Sequence, residues 1–107
     1  MPWRGSQPLP FTEGVVGFNA SPYSGVYGLL RNNVWIYFGE SGCIRGCLLD
    51  HLRREGNPCL IRNAPTQFAF ELVPGEDARK ARQNELIREF WHLGLCNQRS
   101  ERILVSS

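Results

Sequence analysis

No stretch of this sequence approaches the roughly 20 consecutive apolar residues of a membrane-spanning helix. Its first residues, Met1-Pro2-Trp3-Arg4, also lack the apolar core of a secretion signal. The expectation is a cytoplasmic protein with no membrane partner. A strong charge excess is missing too: the formal net charge of +2 is too small by itself to identify a nucleic-acid binder. Lysine is almost absent, since eleven of the twelve basic residues are arginine. Arginine suits bidentate phosphate contacts and equally serves solubility at a surface. There is no internal repeat and no low-complexity segment. With 107 residues, 42% hydrophobic and 21% charged, the chain is long enough for one small domain with a modest core.

CxxC pairs are lacking as well. Cys43, Cys47, Cys59 and Cys96 can be read as a disulfide set, but without a secretion signal free thiols are the expectation. Cys43, Cys47 and His51 recur every four residues. Cys43 and His51 are eight residues apart, however, about 12 Å along a helix at about 1.5 Å per residue, so the three cannot share one metal ion. Two of them with Cys59 are an alternative set; burial as small helix residues is the preferred reading.

The apolar periods organise what is there. Residues 1–23 are rich in Pro, Gly and Ser and read as an extended N-terminal arm, within which Gly14-Val15-Val16-Gly17-Phe18 suggests a short strand at a sheet edge. Residues 25–31 and 34–38 are β-branched and aromatic around the polar break Arg31-Asn32-Asn33, the pattern of a β-hairpin. Ile44, Cys47, Leu48, His51 and Leu52 then recur at the spacing of one helix face, predicting a helix over 42–54 that stops at Gly56-Asn57-Pro58. Phe68, Phe70 and Leu72 alternate in a third strand over 67–73, and Leu86, Ile87, Phe90 and Trp91 supply the buried face of a second helix over 76–93. The fold class expected is α+β, a small three-stranded, mainly antiparallel sheet flanked by helices. The domain is expected to span 24–97, with 98–107 as a C-terminal tail too short to classify.

Gly25-Val26-Tyr27, then Ile36-Tyr37-Phe38-Gly39, then Ser41, a helix and His51, and far downstream Gln83-Asn84-Glu85-Leu86-Ile87 and Asn97, together resemble the GIY-YIG nuclease family over roughly Ser24 to Asn97. The two tripeptides alone are a weak pattern; their spacing to a helix histidine, a Leu-Ile helix and a closing asparagine carries the resemblance. It implies hydrolysis of a nucleic-acid phosphodiester, with DNA as partner and Mg²⁺ or Mn²⁺ as cofactor if the domain is active. Tyr27, Tyr37 and His51 are then the candidate catalytic residues, and Ser41, Arg45 and Asn97 the candidate substrate-binding residues. Two positions depart from the family. Its helix arginine would fall at Cys47, and its metal-holding glutamate at Gln83.

A tyrosine near the attacking water can orient or deprotonate it, a cation stabilises phosphate charge, and a carboxylate holds the metal. Losing one electrostatic stabiliser typically costs about 10² to 10³ in rate, and a glutamine offers only a neutral carbonyl to a hard cation. Hydrolysis is therefore expected to be reduced or lost while nucleic-acid binding persists. An atypical active endonuclease and a protein-interaction module on the same scaffold are the alternatives. Rotation by roughly 200° over two residues turns Arg45 and Glu85 away from the degenerate positions, leaving Glu40 and Glu76 as candidate substitute carboxylates. For Tyr27 and Tyr37 strand packing is the competing reading, and for His51 a late-helix carbonyl contact. The resemblance requires Tyr27, Tyr37, Cys47, His51 and Gln83 to converge on one concave surface.

Overall fold

The computed structural model describes residues 3–54 and 56–97; the tail 98–107 lies outside the described residues. The chain runs through β1 (Leu9–Pro10), α1 (Glu13–Asn19), β2 (Gly25–Arg31), β3 (Val34–Ser41), α2 (Ile44–Arg54), α3 (Pro58–Arg62), β4 (Gln67–Leu72) and α4 (Glu76–Phe90), closing on a 3-10 turn over Trp91–Leu93. The four strands form one sheet in the order β1-β4-β2-β3, every neighbouring pair antiparallel. The fold is α+β, as expected.

Local chemistry accounts for the hairpin. Asn32 and Asn33 take φ of 51° and 68°, the left-handed values a two-residue hairpin turn needs and asparagine tolerates. The ladder registers Tyr27 with Gly39 and Leu29 with Tyr37, then shifts so that Leu30 faces Trp35. Ile36 is the extra residue of this bulge.

Three expectations need correction. The sheet gains a fourth strand, β1, on the outer edge of β4, where Pro10 is tolerated because alternate N–H groups of an edge strand face away from the ladder. Gly14–Phe18 is not a strand but the body of α1. Thr12 caps that helix, its Oγ1 accepting Val15 N–H at 3.3 Å, and Glu13 in the first turn suits the dipole. Cap chemistry outweighed the short apolar run, and the helix buries Val16 completely. Finally, the thiols are not all free: Cys59 and Cys96 form a disulfide with Cα atoms 5.4 Å apart, while Cys43 and Cys47 are free. Sequence alone could not see that the fold brings two residues 37 positions apart within bonding reach. The segment Pro58–Arg62 is an additional helix, capped by the Asn57 side chain, which accepts Cys59 N–H at 2.9 Å, with Pro58 in its first turn.

The sheet is covered on both faces. On one, Tyr27, Leu29 and Phe68 pack with Val16, Ile44, Leu48 and Leu60; on the other, Val26 and Phe38 pack with Leu86, Ile87 and Leu95. The N-terminal arm is tied to the sheet: Ser6 N–H donates to Phe70 O at 2.8 Å, its Oγ accepts Phe70 N–H at 3.0 Å, and Trp3 stacks 4.8 Å from Trp35. Beneath it lies a buried ion pair. Arg82 on α4 donates from Nε and Nη2 to the two carboxylate oxygens of Glu71 on β4, both at 2.9 Å, and from Nη1 to Glu85. Its hydrogen bonds to the Glu71 carboxylate hold the Arg82 pKa above its ordinary value, against the opposing effect of burial. Among the described residues no helix is long and apolar enough to cross a membrane.

Two stability tests follow. In the chain-entropy account a cross-link closing a loop of this length contributes up to about 4 kcal/mol. The Cys59→Ala, Cys96→Ala double variant is therefore expected to unfold at clearly lower denaturant than the oxidised protein, and equal midpoints would refute the bridge. For pH, Glu13, Glu76 and Glu85 are each held below the ordinary 4.5, chiefly by hydrogen bonds from Arg53, Lys80 and Arg82. A carboxylate depressed in the fold contributes stability above its unfolded pKa and loses it as pH falls through the folded value. Denaturation midpoints are thus expected to be flat near neutrality and to fall below pH 4.5, with added salt shrinking the difference because the Arg53–Glu13 and Lys80–Glu76 pairs are exposed.

Candidate functional site

Alternate residues of a strand share a face, so the register that opposes Tyr27 to Gly39 and Leu29 to Tyr37 puts both tyrosines on the α2 side. Gly39 is required there. The Tyr27 phenol ring lies directly over it, and a Cβ at that position would run into the ring. α2 then delivers His51 from its last turn. The Tyr27 hydroxyl and His51 Nε2 are hydrogen-bonded at 2.8 Å, with ring centroids 5.6 Å apart, and the Tyr37 ring stands 5.3 Å from His51 and 6.4 Å from Tyr27. The three candidate catalytic residues form one cluster. Tyr27 is 4% exposed, and its hydroxyl points at the His51 ring.

Beside the imidazole is an open hollow of about 180 Å³ lined by Cys47, Asp50, His51 and Arg54. These positions are spaced by three and four residues, so they share one face of α2. Cys47, where the resemblance leads one to look for an arginine, is a half-buried free thiol one turn before His51.

Gln83 arrives from the opposite layer. Its Nε2 donates to Phe38 O at 3.1 Å, so it meets the outer edge of β3 next to Tyr37; of the five residues expected to converge on one concave surface, only Cys47 and His51 line this hollow, and Tyr27, Tyr37 and Gln83 do not. Asn97, 4% exposed, grips the same peptide: its Oδ1 accepts Phe38 N–H at 2.9 Å and its Nδ2 donates to Phe38 O at 2.7 Å. Arg45 is turned towards the α1–β2 connection, its Nε donating to Ala20 O at 3.0 Å. The Ser41 hydroxyl accepts Cys43 N–H at 2.9 Å ahead of α2. Sequence reasoning missed Asp50 and Arg54. The signal was available, because they stand three and seven residues after Cys47 on the face already marked by His51.

The residues present do not fit the divalent cation that the resemblance implies. Gln83 turns its amide nitrogen to a carbonyl. Glu40 is paired with Arg79 at 2.9 Å and Glu76 with Lys80 at 3.0 Å, and neither is among the residues lining the hollow. Among the described residues no three His, Cys, Asp or Glu side chains are grouped to hold a metal ion.

No family model matches the chain, and neither a curated protein nor a solved structure matches it.

Asn97→Ala is expected to remove both contacts to Phe38 and leave a buried amide unsatisfied, a loss of about 1 to 3 kcal/mol. The Phe38 amide should then exchange with solvent markedly faster. Unchanged protection would mean that the asparagine does not hold this strand edge.

Proposed function

We propose that this chain is a GIY-YIG nuclease-like domain that binds DNA and has reduced or lost metal-dependent phosphodiester hydrolysis. The observation that carries the reading is the Tyr27–His51 hydrogen bond with Tyr37 beside it. These residues belong to one sequence pattern, come from two strands and a helix, and share one cluster, of which His51 lines the hollow. Plain strand packing explains each tyrosine separately but gives no reason for both to enclose the same histidine.

The chemistry of the cluster is that of a proton relay. An imidazole beside a phenol can accept its proton or orient it, leaving the phenolic oxygen to position a water against a phosphorus atom. What the site lacks is charge. Cys47 supplies no cation where phosphate charge would develop, an absence worth about 10² to 10³ in rate, and Gln83 supplies no carboxylate to a hard cation. Binding asks less, because contacts to the phosphate backbone need only a cation within reach.

The wild-type chain is accordingly expected to bind DNA in a salt-dependent manner and to nick supercoiled plasmid slowly. Cys47→Arg combined with Gln83→Glu should raise Mg²⁺- or Mn²⁺-dependent nicking by about 10² or more. Each single change should achieve far less, because groups that act as a unit are strongly non-additive. Phe38 O keeps its Asn97 donor in the Gln83→Glu chain, so the edge survives the substitution. If the wild type already nicks with ordinary metal dependence and Gln83→Ala leaves its rate unchanged, another residue carries the metal and the reading of the site is wrong.

A further inference from the structure

The geometry points to Arg54 as the residue that holds the DNA phosphate at this site, with the phosphate seated over the hollow that Arg54 shares with Cys47, Asp50 and His51. The inference rests on the DNA-binding reading above and adds to it the contact that fixes the substrate.

A phosphate at the Tyr27–His51 cluster needs a cation, and the fold has committed several of the guanidinium groups elsewhere. Arg45 donates to Ala20 O, Arg53 is paired with Glu13 at 3.1 Å, and Arg79 and Arg82 are bound to carboxylates on the far layer of the sheet. Arg54 is exposed and lines the hollow. Helix side chains lean towards the N-terminus, so a residue covers the turn preceding its own Cα. For Arg54 that turn holds Asp50 and His51, which aims the guanidinium back along the helix. Cys47 lies seven residues earlier, about 10.5 Å along the axis, and its short side chain leaves the space between open. A guanidinium can grip a phosphate with two parallel N–H donors, which a lysine ammonium cannot.

Two features oppose an anion here and sharpen the test. The last turn of a helix is its negative end, which by itself explains why an arginine is comfortable at this position. Asp50 also faces the hollow and repels a phosphate. Neutralising Asp50 must therefore tighten binding if the occupant is an anion, and weaken it if the occupant is a cation.

The experiment is fluorescence anisotropy of a short labelled DNA duplex between about 50 and 200 mM KCl, where log affinity falls linearly with log salt by about 0.9 per neutralised phosphate. Arg54→Ala is expected to make the slope shallower by about one contact and to lower affinity about tenfold at the low-salt end. Arg54→Lys should keep the slope and lose part of the affinity. Asp50→Asn should bind more tightly than wild type. Lys80→Ala, which removes the same charge from the exposed side of α4, should behave as wild type. Wild-type slope and affinity in Arg54→Ala, or weaker binding by Asp50→Asn, would overturn the Arg54 assignment while leaving the DNA-binding reading intact. Absence of binding by the wild type would overturn that reading and this inference with it.

Discussion

The outward-facing peptide groups of Phe38 are the constraint on which the rest of the molecule depends. β3 is an edge strand, and an edge that pairs with nothing must be covered or it becomes a template for another chain. Here the amide and carbonyl of Phe38 are both taken by the Asn97 side chain, the carbonyl receives a second donor from Gln83, and one bulge earlier Cys96 N–H donates to Ile36 O. The last described segment thus does the work of a fifth strand without being one. Its path is pinned from below by the disulfide to Cys59 and by Asn57 Nδ2 donating to Cys96 O at 3.1 Å. Because Phe38 stands between Tyr37 and Gly39, sealing the edge also fixes the strand that carries one site tyrosine and the glycine beneath the other.

The two faces of the sheet divide the remaining tasks. The α4 face is committed to stability: aromatic rings of Trp3, Trp35, Phe38 and Phe90 pack in sequence, and Arg82 with Glu71 forms a buried pair whose charges satisfy each other through two parallel contacts. The α2 face is apolar at its centre and polar at its rim, where His51, Asp50 and Arg54 emerge. The candidate chemistry lies where the helix leaves the core, with Tyr27 buried and its histidine partner partly exposed.

The fold also takes several of the described arginines away from any substrate. Several are consumed as structural donors: Arg31 donates to Ala64 O, Arg45 to Ala20 O, and Arg79 and Arg82 to carboxylates. A composition rich in arginine therefore says little about nucleic acid until the partners of each guanidinium are known.

The sequence by itself determined the elements with a strong period. The hairpin around Asn32-Asn33, the third strand and both long helices stand where alternation and helical spacing put them, because those patterns are set by which side chains must leave water. The tyrosine and histidine cluster was legible only through the family resemblance of those residues, since spacing alone left strand packing as the competing reading. What the sequence missed was either decided by a few atoms or decided across the fold. The Thr12 cap turned Gly14–Phe18 into a helix, and a two-residue strand at Leu9–Pro10 is too short to leave a periodic trace. The Cys59–Cys96 bridge, the Arg82–Glu71 pair and the grip of Asn97 on Phe38 join residues remote in the chain. Pairing across such distances depends on where two elements come to rest, and only the tertiary structure decides that. The same reason hid the fate of Arg45 and the position of Arg54. A side chain's chemistry is written in the sequence, but whether another group has already claimed it is a property of the folded molecule.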